Sequence, residues 1–138
     1  MTYRILAFLY RKPSISPDEF KQHYEANHIP LLKRLTGPDF PLTHTRRYIA
    51  RKSVDQPVEG ASERNAKTPA TVFVGSQADF DYDAVVELTF ADEAAFQAFH
   101  AKLTSPEVAK ELGEDEERFI NRAKLRVVAL GDVVETAK

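Results

Sequence analysis

Residues 13–35 read P-S-I-S-P-D-E-F-K-Q-H-Y-E-A-N-H-I-P-L-L-K-R-L, and this stretch predicts the main helix of the fold. Ser16 precedes Pro17 and stands three residues ahead of Glu19. In that pattern a hydroxyl caps the helix start, proline takes the first helical position and the glutamate returns the bond. An apolar stripe follows through Phe20 and Tyr24, past His28, to Leu31, Leu32 and Leu35. Pro30 has no N–H to donate, so the regular helix is expected to kink or end near Asn27–His28.

Working outward, Tyr3–Tyr10 (Y-R-I-L-A-F-L-Y) carries aromatic and branched residues on both alternating faces, as a strand covered on both sides does. Gly37-Pro38 and Pro41 mark a turn, after which Thr43–Arg51 alternates as a polar second strand. Residues 52–80 form a long connection, expected to be mobile, in which Thr71–Gly75 is either a short extra strand or a loop that tucks back. Tyr82–Phe90 is the clearest strand, and Asp92 then caps a helix with Phe96, Phe99, His100 and Leu103 on one face. Ser105-Pro106-Glu107 starts a third helix to about Leu112, with Gly113 as its expected break and a further turn of helix over Asp115–Asn121. Lys124–Leu130 is the last strand.

Strand, helix, strand, strand, helix pair, strand is the βαββαβ order of a ferredoxin-like α+β domain, with helices on one face of a four-stranded antiparallel sheet. The chain of 138 residues is one domain's length, so residues 1–138 are expected to form a single unit. Strands apolar on both faces need a second cover, and a homodimer is the expected source.

A net charge of -2 and the lack of any Lys/Arg block leave no electrostatic footprint for nucleic acid or an acidic membrane. There is no cysteine, which excludes thiolate chemistry, disulfides and cysteine-held metals. No signal pattern opens the chain and no apolar run approaches membrane-helix length, so a cytoplasmic protein is expected. The four histidines are scattered without a ligand-like offset, so no metal is expected. No Rossmann, Walker, G-x-S-x-G or H-E-x-x-H pattern occurs.

The chemistry must then come from histidine, tyrosine, arginine and carboxylate, groups suited to proton transfer on an already acidic substrate. His28, four residues after Tyr24, lies on the sheet-facing stripe and is the first candidate for general acid or base; otherwise it closes the helix onto a free carbonyl. His23 lies off the stripe and is expected at the surface. His44, Arg46 and Tyr48 alternate onto one face of the second strand, either lining a pocket or standing at a solvated edge. In the pocket, Arg46 would hold a carboxylate or enolate oxygen while His44 and Tyr48 donate protons. Asp83 is a candidate to orient a histidine, or else one half of an ion pair; Glu87 reads as a structural pair. His100 is a core or a pocket histidine. Tyr24, Tyr82 and Phe96 are candidate walls of a slot for a flat ring.

The segment R-K-P-S-I-S-P-D-E-F-K-Q-H-Y-E-A-N-H-I-P-L-L, together with Y-D-A-V-V-E-L-T-F-A-D-E-A-A-F and D-E-E-R-F-I-N-R, resembles the EthD domain family over most of Tyr3–Val128. That resemblance implies a dimeric α+β barrel, a pocket between each subunit's sheet and helices, a role for His28 in the family's His-x-Pro-Leu motif, and no cofactor. Similar proteins include polyketide-tailoring decarboxylases and dehydratases, cyclases, cofactor-free quinol monooxygenases and an accessory protein of ether degradation. L-T-G-P-D-F-P-L-T-H-T-R-R-Y-I and V-F-V-G-S-Q-A-D-F resemble a subgroup of filamentous fungi. The expected function is cofactor-independent tailoring of an aromatic polyketide or phenolic intermediate through an enolate, by decarboxylation, dehydration or cyclisation. The alternatives are an anthrone or quinol monooxygenase and a non-catalytic binding protein.

Overall fold

Alternation in β1 (Tyr3–Leu9) sends Ile5, Ala7 and Leu9 to one face, where each is buried. The computed structural model describes residues 2–138. β3 (Ala84–Phe90) pairs antiparallel with β1 in the register Ile5↔Leu88, Ala7↔Val86 and Leu9↔Ala84, which puts its own apolar set on the same face. β2 (Thr43–Tyr48) joins the far side of β3 and β4 (Arg126–Ala129) the far side of β1. The sheet order is β2-β3-β1-β4, antiparallel throughout, the ferredoxin-like arrangement.

The helices cover that apolar face. They are α1 (Pro17–His23), α2 (Ile29–Thr36), α3 (Glu93–Thr104) and α4 (Pro106–Glu116). Phe20, Tyr24, Leu32, Phe99, Leu112 and Phe119 meet Ile5, Ala7, Val86, Leu88 and Phe90 in one core cluster. Ser16 accepts from the Glu19 N–H at 3.1 Å and Glu19 Oε1 from the Ser16 N–H at 2.9 Å, so the expected capping box starts α1.

Pro30 does not break the helix. Between α1 and α2 the backbone widens into a π turn, Tyr24–His28, closed by the Ile29 N–H donating to the Tyr24 carbonyl five residues back. In an α-helix the proline ring would collide with the carbonyl four residues earlier, and a widened turn relieves that crowding while helical φ and ψ persist through His28 and Ile29. Gly37, at φ 54°, ends α2. Gly113 is no break either: α4 runs through it to Glu116, and the Arg122 guanidinium lies 3.3 Å from where a Cβ would stand.

β2 stops at Tyr48 and β3 starts at Ala84, because Arg51 and Asp83 turn into an ionic cluster instead of alternating across a strand. Asp83 is 3% exposed. It accepts from the Arg11 backbone N–H at 2.7 Å, from Arg11 Nη1 at 2.5 Å, from Arg51 Nε at 3.0 Å and from Arg64 Nη1. Arg51 also donates to the carbonyls of Thr68, Phe80, Asp81 and Tyr82, and Arg11 to those of Ile15 and Arg64. The cluster ties the 52–80 connection to the end of the sheet. Within it the chain folds back on itself through Lys52 N–H to Pro69, Val54 N–H to Lys67 and Val58 N–H to Ala66. Thr71–Gly75 forms no strand; Phe73 is 94% exposed.

Among the described residues no helix covers the other face of the sheet. Leu6, Phe8 and Val85 are half-buried there, and Glu87 sits 3.5 Å from Arg4 and 3.8 Å from Arg47 as a structural pair.

Three guanidinium groups converge on Asp83, so replacing it leaves buried cations without their anion. Asp83→Asn should lower unfolding stability by about 3–5 kcal/mol, read from urea denaturation. A loss below about 1 kcal/mol would mean that water replaces the carboxylate.

Candidate active site

The π turn and α4 build one wall. Tyr24 and His28 are both buried, their rings 5.6 Å apart centre to centre, and Phe119 packs 4.9 Å from His28. Phe119 is held because the chain after α4 returns alongside β1, with the Lys12 N–H donating to the Phe119 carbonyl and the Asn121 N–H to Tyr10. Asp115, near the end of α4, accepts from His28 Nδ1 at 2.9 Å and from His23 Nε2 at 3.0 Å. His23 is therefore engaged, with its side chain 17% exposed, where a surface position was expected. Its stripe position matters less than the reach of a carboxylate from α4.

β2 builds the other wall. In register with Leu88, Val86 and Ala84, the side chains of His44, Arg46 and Tyr48 face the helices rather than a solvated edge. Arg46 grips Glu25 with two bonds, Nε to Oε2 at 2.6 Å and Nη2 to Oε1 at 2.9 Å. Its Nη1 donates to the His44 carbonyl at 2.9 Å and to His44 Nδ1 at 3.0 Å. The Tyr48 hydroxyl donates to Glu25 Oε2 at 2.5 Å. The Tyr24 ring stands between the walls, edge-on to His44 at 6.2 Å and under the Arg46 guanidinium at 6.0 Å.

Partners decide the tautomers. A guanidinium only donates, so His44 Nδ1 accepts and the neutral ring carries its hydrogen on Nε2. A carboxylate only accepts, so neutral His28 carries its hydrogen on Nδ1 and leaves Nε2 with a lone pair. Neither Nε2 has a partner among the described residues, and no buried side-chain nitrogen or oxygen lacks one, so both nitrogens reach accessible space. The site thus holds a free imidazole acceptor and a free imidazole N–H.

Electrostatics keep both rings neutral near pH 7. Burial pulls His28 below its ordinary value, opposed by the Asp115 carboxylate. Burial, reinforced by the Arg46 charge, pulls His44 down to about 4. Hydrogen bonds from Arg46 hold Glu25 below the usual carboxylate range. Burial raises the phenols of Tyr24 and Tyr48, so both stay protonated.

Of the candidates read from the sequence, His28, His44, Tyr48, Arg46 and Tyr24 come together here. Asp83 does not; it lies in the arginine cluster at the sheet end. Tyr82 leaves the helix-covered face as well, packing on Phe8 at 5.0 Å and Tyr10 at 6.2 Å, because β3 begins only at Ala84 and the residues before it do not follow its alternation. Phe96 packs against Phe90 and Tyr3 at 5.5 and 5.3 Å, and exposed His100 stacks on Phe96 at 5.9 Å. Glu25 and Asp115 were missed. Asp115 heads the D-E-E-R-F-I-N-R segment, a signal available in the sequence; Glu25 faces β2 from the π turn.

Tyr48 also borders two hollows beside the site, neither of which is lined by His28 or His44. It lines a recess of about 370 Å³ with Ile49, Ala50, Ala70, Phe73 and Phe80, and a crevice of about 120 Å³ with Phe20 and Lys21. Among the described residues no group of three or more His, Cys, Asp or Glu is placed to hold a metal ion. No helix among them is long and apolar enough to cross a membrane.

A family model described as the EthD domain matches residues 12–123. No curated protein sequence gives a significant match. Solved structures similar to the chain include an EthD family protein from Bacillus halodurans, 17% identical, covering 96% of this chain and 100% of the other at a TM-score of 0.54. A NIPSNAP-like domain protein from Burkholderia xenovorans is 14% identical over 99% and 90%, with a TM-score of 0.51. A hypothetical protein of Arabidopsis thaliana is 13% identical over 98% and 91%, with a TM-score of 0.50. At these identities the likeness is one of fold.

The depressed histidines carry a signed consequence for stability. Between the ordinary value of 6.5 and about 4, the unfolded chain binds a proton at residue 44 that the folded chain refuses, so stability falls as pH falls through that window. His28 adds to the same trend. Urea midpoints measured from pH 7.5 to 4.5 should decline, and His44→Gln should flatten the decline. An unchanged slope would contradict the burial of a neutral His44.

Proposed function

The chain belongs to the EthD domain family, and from that membership and the geometry of the site we propose that it is a cofactor-independent enzyme moving a proton on a small phenolic or polyketide-like substrate through an enolate. The observation that carries the reading is the pair of imidazoles in opposite tautomers, each with its Nε2 unoccupied. His28 Nε2 takes the proton from an acidic C–H bond. His44 Nε2–H donates to the oxygen on which the enolate charge collects, in surroundings where a hydrogen bond to developing charge counts for more than in water. Protonated His28 then returns the proton to carbon, or to a departing hydroxyl. Decarboxylation, dehydration and ring closure all use this exchange and differ in which group leaves or attacks.

The recess beside Tyr48 has the volume and apolar lining of a small-molecule site, with Phe73 and Phe80 as its aromatic walls. Arg46 is already committed to Glu25 and His44, so it orients His44 and the Tyr48 hydroxyl rather than meeting a substrate carboxylate directly. Tyr48 stands between this ion pair and the recess, the place where a ring substituent arrives.

Incubation with aromatic β-keto acids and anthrone-type phenols, followed by mass spectrometry and an oxygen electrode, tests the reading. His28→Gln should reduce turnover by roughly 10²-fold or more, the scale of a lost general base. Turnover that survives the substitution would remove His28 from the chemistry; oxygen uptake would indicate a monooxygenase, and binding without turnover a binding protein.

We also propose a homodimer joined through the helix-free sheet face, where Leu6, Phe8 and Val85 are only half-buried and Val128 is 53% exposed. Sedimentation should report a dimer for the native chain and a monomer for Phe8→Glu. A native monomer at micromolar concentration would overturn this assembly.

A further inference from the structure

The His23–Asp115–His28 chain has a feature that proton transfer at His28 alone does not require. The two oxygens of one carboxylate are each committed to a different imidazole, at 3.0 and 2.9 Å, and have no other hydrogen-bond donor among the described residues. His28 is 6% exposed and belongs to the inner site. His23 lines a surface recess of about 390 Å³ together with Glu19, Gln22, Asn27 and Arg118. Asp115 therefore joins the two, with the reacting imidazole on one oxygen and the imidazole that borders the recess on the other.

We propose that His23 is a positioning residue that acts through Asp115 as the proton outlet of the site: a proton taken up by His28 from substrate is balanced by one released from His23 to water. The inference rests on the reading of His28 as the proton-moving group.

The argument is one of charge. With both rings neutral the trio carries one negative charge; with one ring protonated it carries none. A second proton would leave a net positive charge beside a carboxylate whose side chain is only 11% exposed, on two imidazoles that both pack against the Phe119 ring. The trio therefore favours a single extra proton, and its two imidazoles compete for it. The outlet requires that proton to start on His23, the ring that borders the surface recess, while His28 keeps Nδ1–H on Asp115 and a bare Nε2. When substrate transfers its proton, a new N–H bond forms at His28 Nε2. The Nδ1–H bond of His23 then breaks toward the recess, and Asp115 turns its charge to the new imidazolium. No proton crosses Asp115, and charge is conserved within the trio. When His28 returns its proton to the product, His23 reloads from water.

Asn27 suits both states. Its amide stands 3.3 Å from His23 Nδ1, where the NH2 donates to a neutral ring and, after an amide flip, the carbonyl accepts from the cation. The other charged and titratable groups around the trio are Tyr24 against His28, Glu19 and Arg118 at the recess, Glu116 beside Asp115 on α4, and His44 with Arg46 across on β2. Glu116 is engaged by Arg122, and none of these groups bonds to Asp115.

The test needs no substrate. In the full chain with 15N-labelled histidine, the ring nitrogens are followed by NMR as pH is lowered. His23→Gln retains an N–H for Asp115 but cannot titrate, so it separates a hydrogen-bonding role from a proton-competing one. The outlet predicts that the His28 midpoint rises in His23→Gln by about one pH unit, a roughly tenfold gain in proton affinity. A His28 midpoint unmoved in His23→Gln, with the fold intact by circular dichroism, overturns the outlet and leaves His23 as a pin for Asp115. Coupling without turnover on any phenolic substrate would refute the catalytic reading of His28 and leave the shared proton standing. Turnover that depends on His28, without coupling, would do the reverse.

Discussion

A proline inside a helix is the constraint on which the site depends. Pro30 removes one backbone donor and its ring would strike the carbonyl of Ala26 in a regular α-helix. The chain answers with the π turn Tyr24–His28, which keeps α1 and α2 joined as one layer over the sheet. Within that turn Tyr24 and His28 are buried while Glu25 meets Arg46 and Tyr48. Three successive contributions of the site, a phenol, a carboxylate and an imidazole, thus come from five residues of distorted helix.

The molecule has two ionic assemblies, one buried around Asp83 and one half-buried around Glu25 and Asp115. Around Asp83 the guanidinium groups of Arg11, Arg51 and Arg64 bond carboxylates and backbone carbonyls, most of them in or beside the 52–80 connection, so the cluster binds the loop. Around Glu25 and Asp115 the carboxylates are equally occupied, yet two imidazole nitrogens remain open. Buried polar atoms are nearly always paired, and these two nitrogens are unpaired because they reach accessible space. The two assemblies meet at Tyr48, whose ring borders both the recess under the connection and the crevice that reaches Asp83. The loop clasp therefore shapes the recess beside Tyr48.

Much of this was legible before any tertiary contact was known. The S-P-D-E capping box, the Phe20–Tyr24–His28 stripe and the alternation of His44, Arg46 and Tyr48 are local periodicities, and each survives in the fold because side-chain direction follows backbone geometry. Errors came where local periodicity stops. Tyr82 and Asp83 were read as part of a strand, but the chain there is governed by three arginines drawn from distant positions. Gly113 read as a break because glycine weakens helices in isolation; here it gives room for the Arg122 guanidinium. His23 read as a surface residue because nothing in its own helix shows that α4 brings a carboxylate to it.

The sequence by itself determined the order of elements, the place of His28 on the apolar helix stripe, the sharing of one strand face by His44, Arg46 and Tyr48, and the restriction of chemistry to groups other than thiols, while leaving open whether that strand face meets the helices. Those properties follow from periodicity and composition, which act over a few residues. Only the tertiary structure decided that Asp115 rather than Asp83 orients His28, that Glu25 holds Arg46 and Tyr48, and that the two imidazoles take opposite tautomers. A tautomer is set by the partner on the other ring nitrogen, and those partners are Asp115, 87 residues from His28, and Arg46, whose own direction is set by Glu25. Such pairings depend on packing between elements, which no short stretch of sequence contains.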